Sequence, residues 1–393
     1  GSSAASGSTG TAEDGGDPAF QKFDEVVEVH IGQAVSTTDS LPESLSVENN
    51  QYTDYLLENF NIKVVGDWTA ASGNDYTQKV ALCIASNTLP DAMTVSREYM
   101  LKAANAGQLY DITELFQEMQ SDQVKEVMDS TGGQAIEEVS VDGKQYAIPA
   151  VEVETAGVQV INVRQDWLDE YGLEAPKTLE DVENIAKVFA EKKPAGEDTV
   201  PIAGPDKSTN SYTNFLETGT TTCGFDAVFS ANDAYPGIFL KDEDGTVTYG
   251  TDSDGTRKTL ELLADWYEKG YIDPEMGTRD SSIELINSGK VGMFFGTWWM
   301  IGYGIGDAYR NDPDANWQSY PILTDDGKWN VKLGSATTGY CVINKNVSED
   351  VAKAIIIMAN VLLRDESKFD VSEQPLSFWP VRTLMAPADE CEY

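Results

Sequence analysis

The side chains able to do chemistry in this 393-residue chain are few. It has one histidine, His30, so any Ser-His-Asp or Cys-His scheme must use that residue, and a zinc site with two imidazoles is excluded. The four cysteines, Cys83, Cys223, Cys341 and Cys391, lie far apart with no CxxC, which is neither a metal pattern nor a dense disulfide framework. Cys83, within Val80-Ala-Leu-Cys-Ile-Ala, reads as a small buried hydrophobe. Carboxylates and aromatic rings remain. Glu152 and Glu154 could work as a general acid and base, but alternate residues of one strand share a face and do not flank a substrate from opposite sides. Trp298 and Trp299 directly follow the apolar run Val291-Gly-Met-Phe-Phe, at the end of an expected strand. In an open α/β sheet a ligand lies outside the carboxyl ends of the strands, which is where such rings would stand.

The elements that must position these groups can be read from periodicity. Val27, Val29 and Ile31 alternate on one side of a strand and leave His30 on the other, more a partly buried imidazole than a ligand. A helix over Tyr52–Phe60, a strand at Ile62–Val65, a helix with Tyr76, Val80, Cys83 and Ile84 on one face, and a strand over Leu89–Val95 follow. That is a βαβαβ unit, half of a doubly wound sheet. A second set begins after Tyr146–Ala150. It comprises a strand at Val158–Val163 and a helix capped by Thr178 with Asp181 three residues on and Val182, Ile185, Ala186 and Phe189 inward. A second helix carries a Leu260, Leu263, Ala264, Tyr267 stripe and ends at Gly270. The Val291 strand, a strand at Tyr340–Ile343 and an apolar helix over Asp350–Leu363 complete it. Trp167 and Trp266 are expected in the cores of their helices. The fold class is α/β with two lobes.

Composition removes further classes. A formal charge of −39 argues against binding a phosphate backbone, which needs clustered Lys and Arg, so nucleic acid is not an expected partner. No run of 18 apolar residues occurs, so no membrane-spanning helix is expected. Residues 1–17 are Gly, Ser, Ala, Thr and acids, the composition of a disordered tether. A tether ahead of a compact acidic body fits an exported protein held to the outer face of the membrane only through a lipid anchor upstream.

Six segments, in order, resemble the extracellular solute-binding proteins of ATP-driven (ABC) importers, family 1 of the maltose-binding superfamily, in its Gram-positive lipoprotein branch. They are Tyr76-Thr-Gln-Lys-Val-Ala-Leu-Cys-Ile-Ala-Ser-Asn-Thr-Leu-Pro-Asp, Ala106-Gly-Gln-Leu-Tyr-Asp-Ile-Thr, Val141-Asp-Gly-Lys-Gln-Tyr-Ala-Ile-Pro, Val163-Arg-Gln-Asp-Trp-Leu-Asp-Glu-Tyr-Gly-Leu-Glu-Ala-Pro-Lys-Thr-Leu, Trp266-Tyr-Glu-Lys-Gly-Tyr-Ile-Asp-Pro-Glu and Asn287-Ser-Gly-Lys-Val-Gly-Met. The resemblance implies a two-lobe periplasmic-binding-protein-like fold of class II type, with the ligand cleft between lobes joined by hinge strands. The crossings fall near Pro149–Val153 and Leu333–Tyr340, giving residues 18–153 plus 336–372 as lobe 1 and 154–335 plus 373–393 as lobe 2. Relatives continue past this chain's end, so part of lobe 2 is expected beyond Tyr393. Some relatives carry a calcium loop where this sequence has Glu191-Lys-Lys-Pro-Ala-Gly-Glu-Asp. Its two lysines and few oxygen ligands predict no metal there, and no cofactor is expected.

The implied function is capture of a carbohydrate, an oligosaccharide by expectation, and its delivery to a membrane permease by lobe closure, from a monomeric, non-enzymatic protein. A sugar needs a flat aromatic surface for the C–H face of its ring and planar polar groups for its hydroxyls. Trp298 matches the family position that stacks a sugar, with Trp299 beside it. Arg97 matches a polar contact position, with Tyr99 close by. Glu152 falls on a hinge position that binds hydroxyls in relatives, with Glu154 two residues on. Tyr212 aligns with a second-lobe contact loop, accompanied by Asn210. Gln33 and Ser36 follow the first strand, and Trp379 could close the cleft. The same fold holding a peptide or other polar solute, and a carboxylate glycoside hydrolase, are the alternatives.

Overall fold

A computed structural model describes residues 16–35, 45–152, 157–207, 223–242, 244–371, 374 and 376–382. The strands of three or more residues are β1 (Val27–Val35), β2 (Ile62–Ala71), β3 (Ala92–Val95), β4 (Ala147–Val151), β5 (Gln159–Arg164), β6 (Val200–Ala203), β7 (Phe239–Lys241), β8 (Val247–Tyr249), β9 (Val291–Thr297), β10 (Trp317–Tyr320) and β11 (Thr337–Ile343). The helices that matter for the site are α1 (Gln51–Phe60), α2 (Asn74–Ser86), α3 (Arg97–Asn105), α4 (Gln134–Glu138), α5 (Leu179–Lys192), α6 (Asp254–Glu268) and α7 (Glu349–Asp365). Among the described residues no helix is long and apolar enough to cross a membrane.

The chain divides into two compact units, at Val153/Glu154 and again at Gly334/Ser335. In unit 1 the sheet order is β2-β1-β3-β11-β4. β1 pairs in parallel with β2 and β3, so the expected βαβαβ unit is present, and β11 runs antiparallel to both β3 and β4. One face packs on α1 and α7: Val29, Ile31, Leu56, Ile62, Ile355 and Ile356 share that core. The other face packs on α2 and α3 through Val80, Met93, Val95 and Met100. Asn50 caps α1 with a reciprocal Thr53 bond, which fixes where that helix starts.

In unit 2 the order is β10-β5-β9-β6, with β9 parallel to β6 and antiparallel to β5. Thr178 and Asp181 form the expected reciprocal cap of α5, and Val182, Ile185, Ala186 and Phe189 are all buried. Trp167 and Trp266 are core residues as expected, 6% and 0% exposed.

Two expectations are corrected. The inward stripe of α6 is Thr256, Thr259, Leu263 and Trp266, while Leu260 and Tyr267 are exposed. The bulky Trp266 sets the face. The two threonines can line it because their hydroxyls donate to Gly250 O and Gly255 O within the chain's own backbone. Second, the described residues after 373 pack into unit 1 instead of the second lobe. Trp379 is 1% exposed, with its ring edge-on to Tyr52 at 5.5 Å and to Phe369 at 5.6 Å. In the segment 191–198, Glu197 pairs with Lys193 and Asp198 with Lys290.

Candidate functional site

In unit 1 the carboxyl ends of β1, β2, β3 and β4 meet the start of β11 along one edge of the sheet. Arg97 opens α3 directly after β3 and is exposed; Tyr99 is half-buried, with the Lys102 ammonium 5.1 Å from its ring centre. Glu152, half-buried, follows β4, and its N–H donates to Ala336 O at 2.9 Å, so the two crossings of the chain are tied together here. Gln33 is 7% exposed and donates to Ser377 O at 2.8 Å, while its Oε1 has no partner. Thr94, one residue past the Gly32–Met93 pair that links β1 to β3, also carries an unpartnered hydroxyl. Arg97, Tyr99, Gln33 and Glu152 therefore share one edge. Trp379 supplies only packing there, because a ring enclosed on its faces has no surface for a ligand.

Two features of this edge were not expected from sequence. Glu138, the last residue of α4, accepts hydrogen bonds from Tyr340 (2.8 Å), Gln134 (2.9 Å), Ser335 (3.3 Å) and Thr337. Burial alone would raise its pKa, but the bonds from Thr337, Gln134 and Tyr340 and the charge of Arg97 hold the carboxyl below its ordinary value. Burial pushes the Tyr340 hydroxyl up to about 12, so it stays a donor. Nothing in the local pattern of Gln134-Ala-Ile-Glu-Glu signals this, since three of the four partners, Ser335, Thr337 and Tyr340, lie some two hundred residues away. The other feature is Trp68, whose ring lies 2.2 Å from where a Cβ on Gly32 would stand. A glycine inside a strand pattern is the signal that could have found it. Trp68 also packs on Tyr76 at 5.5 Å, and Tyr76 donates to Thr94 O at 2.8 Å.

In unit 2 the corresponding edge holds the carboxyl ends of β6, β9 and β10 and the start of β5. Trp298 follows β9 directly, is 41% exposed, and its N–H donates to Val158 O at 3.3 Å, extending the ladder by one step. Trp299 is half-buried and packs beside Phe294, Met300 and Ile305, so it is the member of the pair that faces the core. Gln159 and Thr297 stand directly opposite each other on β5 and β9, 4% and 0% exposed. Neither amide atom of Gln159 nor the hydroxyl of Thr297 has a partner. Sequence reading missed both, because a polar residue at a strand end looks like an ordinary surface position. Glu154, Asn210, Tyr212 and Ser36 lie outside the described residues. Among the described residues no group of three or more His, Cys, Asp or Glu is placed to hold a metal ion.

Residues 51–392 match the family of bacterial extracellular solute-binding proteins. The chain belongs to this family. Of the curated relatives, the fructooligosaccharide ABC transporter substrate-binding protein FusA of Streptococcus pneumoniae is 26% identical over 272 residues, 65% of this chain and 46% of FusA. The polygalacturonan/rhamnogalacturonan-binding protein YtcQ of Bacillus subtilis is 27% identical over 165 residues, 40% of this chain and 30% of YtcQ. This solute-binding protein thus spans less than half the length of either. The solved structure of FusA with kestose superposes with a TM-score of 0.63 at 18% identity, covering 86% of this chain and 67% of FusA. An HMO-binding solute-binding protein from Bifidobacterium longum infantis gives 0.64 at 17% identity, covering 86% and 68%. At these identities the likeness shows the fold, that of two-domain solute-binding proteins.

Proposed function

We propose that this solute-binding protein captures an oligosaccharide outside the cell and hands it to the permease of an ABC importer. The observation that carries the reading is Trp298: a large ring, 41% exposed, standing at the carboxyl end of the central β9 strand where an α/β sheet receives ligand. A ring exposed at that place offers a flat apolar surface for the C–H face of a sugar. Support comes also from relatives whose names are those of glycan-binding proteins, and from solved relatives holding kestose, raffinose and lacto-N-biose. In unit 1, Arg97, Glu152 and Gln33 offer the planar polar groups that pair with adjacent hydroxyls, and Tyr99 a second ring. Glu154, Asn210, Tyr212 and Ser36 remain proposed contacts.

The mechanism attached to this reading is closure of two lobes, driven by the ligand's higher affinity for the closed arrangement. The protein works as a monomer, held to the cell surface through a lipid anchor as the name of its relative, lipoprotein LipO of Bacillus subtilis, suggests. It performs no hydrolysis, since a carrier that must deliver sugar intact gains nothing by cleaving it. Calorimetric titration with kestose, raffinose and lacto-N-biose tests the reading. At least one should bind, and Trp298→Ala should weaken it by about 30-fold, the effect of removing a central aromatic anchor. Binding by none of them, or a peptide bound in their place, overturns the sugar assignment. Mass spectrometry of the bound glycan after prolonged incubation should show it uncut.

A further inference from the structure

Several buried polar atoms of unit 2 have no partner, Asn162 Nδ2, Asn287 Oδ1 and Trp317 Nε1 as well as those of Gln159 and Thr297, but among the described residues Gln159 alone has both ends of its amide idle. The buried Arg164 guanidinium meets Asp166 and Asp312, and the buried Asp273 carboxylate meets Arg279 at the side of the same unit. Asn162 has one end of its amide engaged, its Oδ1 accepting a 2.6 Å bond from Ser319 while Nδ2 stays idle. Gln159, by contrast, is 96% enclosed with both its acceptor and its donor idle, and the fully enclosed Thr297 hydroxyl opposite it is idle too. An unmatched buried amide is a substantial cost, and an apolar residue of the same shape would remove it. A further molecule that completes it is one reason for a fold to keep such a group.

The position says which molecule. Thr297 is followed at once by the exposed ring of Trp298, and Gln159 is the first residue of β5, at the sheet's rim. A primary amide presents a donor and an acceptor side by side, which suits two adjacent hydroxyls: one accepts from the Nε2–H, the other donates to Oε1. Resting on the sugar reading above, we propose that Gln159 and Thr297 are specificity-determining residues for that ligand. They form the hydrogen-bonding half of a subsite in unit 2 whose apolar half is Trp298, and they select a ring with adjacent hydroxyls at that place.

The test uses the full chain and whichever of kestose, raffinose and lacto-N-biose the unaltered protein binds most tightly. Gln159→Met and Thr297→Val keep the bulk and remove the idle polar atoms. Both variants should melt at the same temperature as the unaltered protein without ligand, or higher, and each should bind that glycan at least about ten-fold more weakly. Unchanged glycan affinity in both variants overturns this inference while leaving the sugar reading intact. A lower melting temperature without ligand in both variants also overturns it, since it would mean that internal water completes the pair as structure. If the unaltered protein binds none of the three glycans, the sugar reading fails first and this inference falls with it.

Discussion

The two sheets end in edges of opposite character. At the unit 1 edge, polar groups answer one another: Glu138 gathers Tyr340, Thr337, Ser335 and Gln134, and the backbone of Glu152 is tied to Ala336. At the unit 2 edge, Gln159 and Thr297 are unanswered, and the next residue is an exposed tryptophan. An edge of matched groups has its geometry fixed by the chain alone, and such groups lose little when a ligand arrives. An edge of unmatched groups beside an exposed ring has its energetic gain still to come from outside. Gln33 and Thr94 show the contrast is one of degree, since each keeps one idle oxygen within unit 1. Even there Gln33 has its amide nitrogen engaged, whereas Gln159 has neither atom engaged.

The largest effect that can sharpen this comparison sets two tryptophans against each other. Trp379→Ala removes a ring packed between Tyr52 and Phe369 in the unit 1 core, and should cost about 3–5 kcal/mol of stability by the usual penalty for truncating a buried aromatic. Trp298→Ala removes a ring already partly in water, and should lower the melting temperature far less while weakening glycan binding. Denaturant unfolding and calorimetry on both variants measure the two quantities separately. Equal losses of stability would erase the distinction between a structural and a ligand-facing tryptophan.

Next in size is Glu138. Glu138→Ala removes the shared acceptor of the Thr337 and Tyr340 hydroxyls, leaving them their 2.8 Å bond to each other, and should cost about 1–3 kcal/mol, read by denaturant titration. The same carboxylate gives a pH dependence of definite sign. Its pKa is depressed in the folded protein, so its contribution is present above the unfolded value near 4.5 and is lost as pH falls through the folded value. The unaltered protein should therefore lose its stability advantage over Glu138→Gln on acidification below about pH 4.5. An advantage that holds constant down through that range would mean the network does not depend on the charge, and the unit 1 edge would be less fixed than its bonds imply.

Much of the frame was legible because its signals are local. The alternation of Val27, Val29 and Ile31 and the Thr178–Asp181 cap each need only a few consecutive residues, and all appear as read. The α6 stripe was misread by about one residue of rotation because hydropathy counts Leu260 and Tyr267 as inward. It cannot anticipate threonines that satisfy their own hydroxyls against the preceding turn. The polar groups of the candidate site were the least legible. Glu138 gains its meaning from Thr337 and Tyr340, and Gln159 from standing opposite Thr297. Those are strand pairings and returns of the chain that no window of sequence contains.

The smallest effect belongs to the single histidine, and it separates fold from edge. His30 Nδ1 lies 2.7 Å from Asp67 Oδ1, with both side chains 41% exposed. That hydrogen bond raises the His30 pKa above 6.5, against a smaller opposing effect of burial. With the folded pKa raised, the stabilisation is complete below the unfolded value near 6.5 and disappears as pH rises through the folded value. Solvent screening at this exposure limits it to a few tenths of a kcal/mol, about the value of a surface ion pair. Melting curves of the unaltered protein and Asp67→Asn should therefore differ slightly at pH 5.5 and coincide at pH 8.5. His30 lies in β1 on the face opposite Val29 and Ile31 and takes no part in either edge, so glycan affinity should not follow that titration. A glycan affinity that rises and falls with the His30 proton would make the unit 1 sheet, and not only its edge, part of the binding machinery.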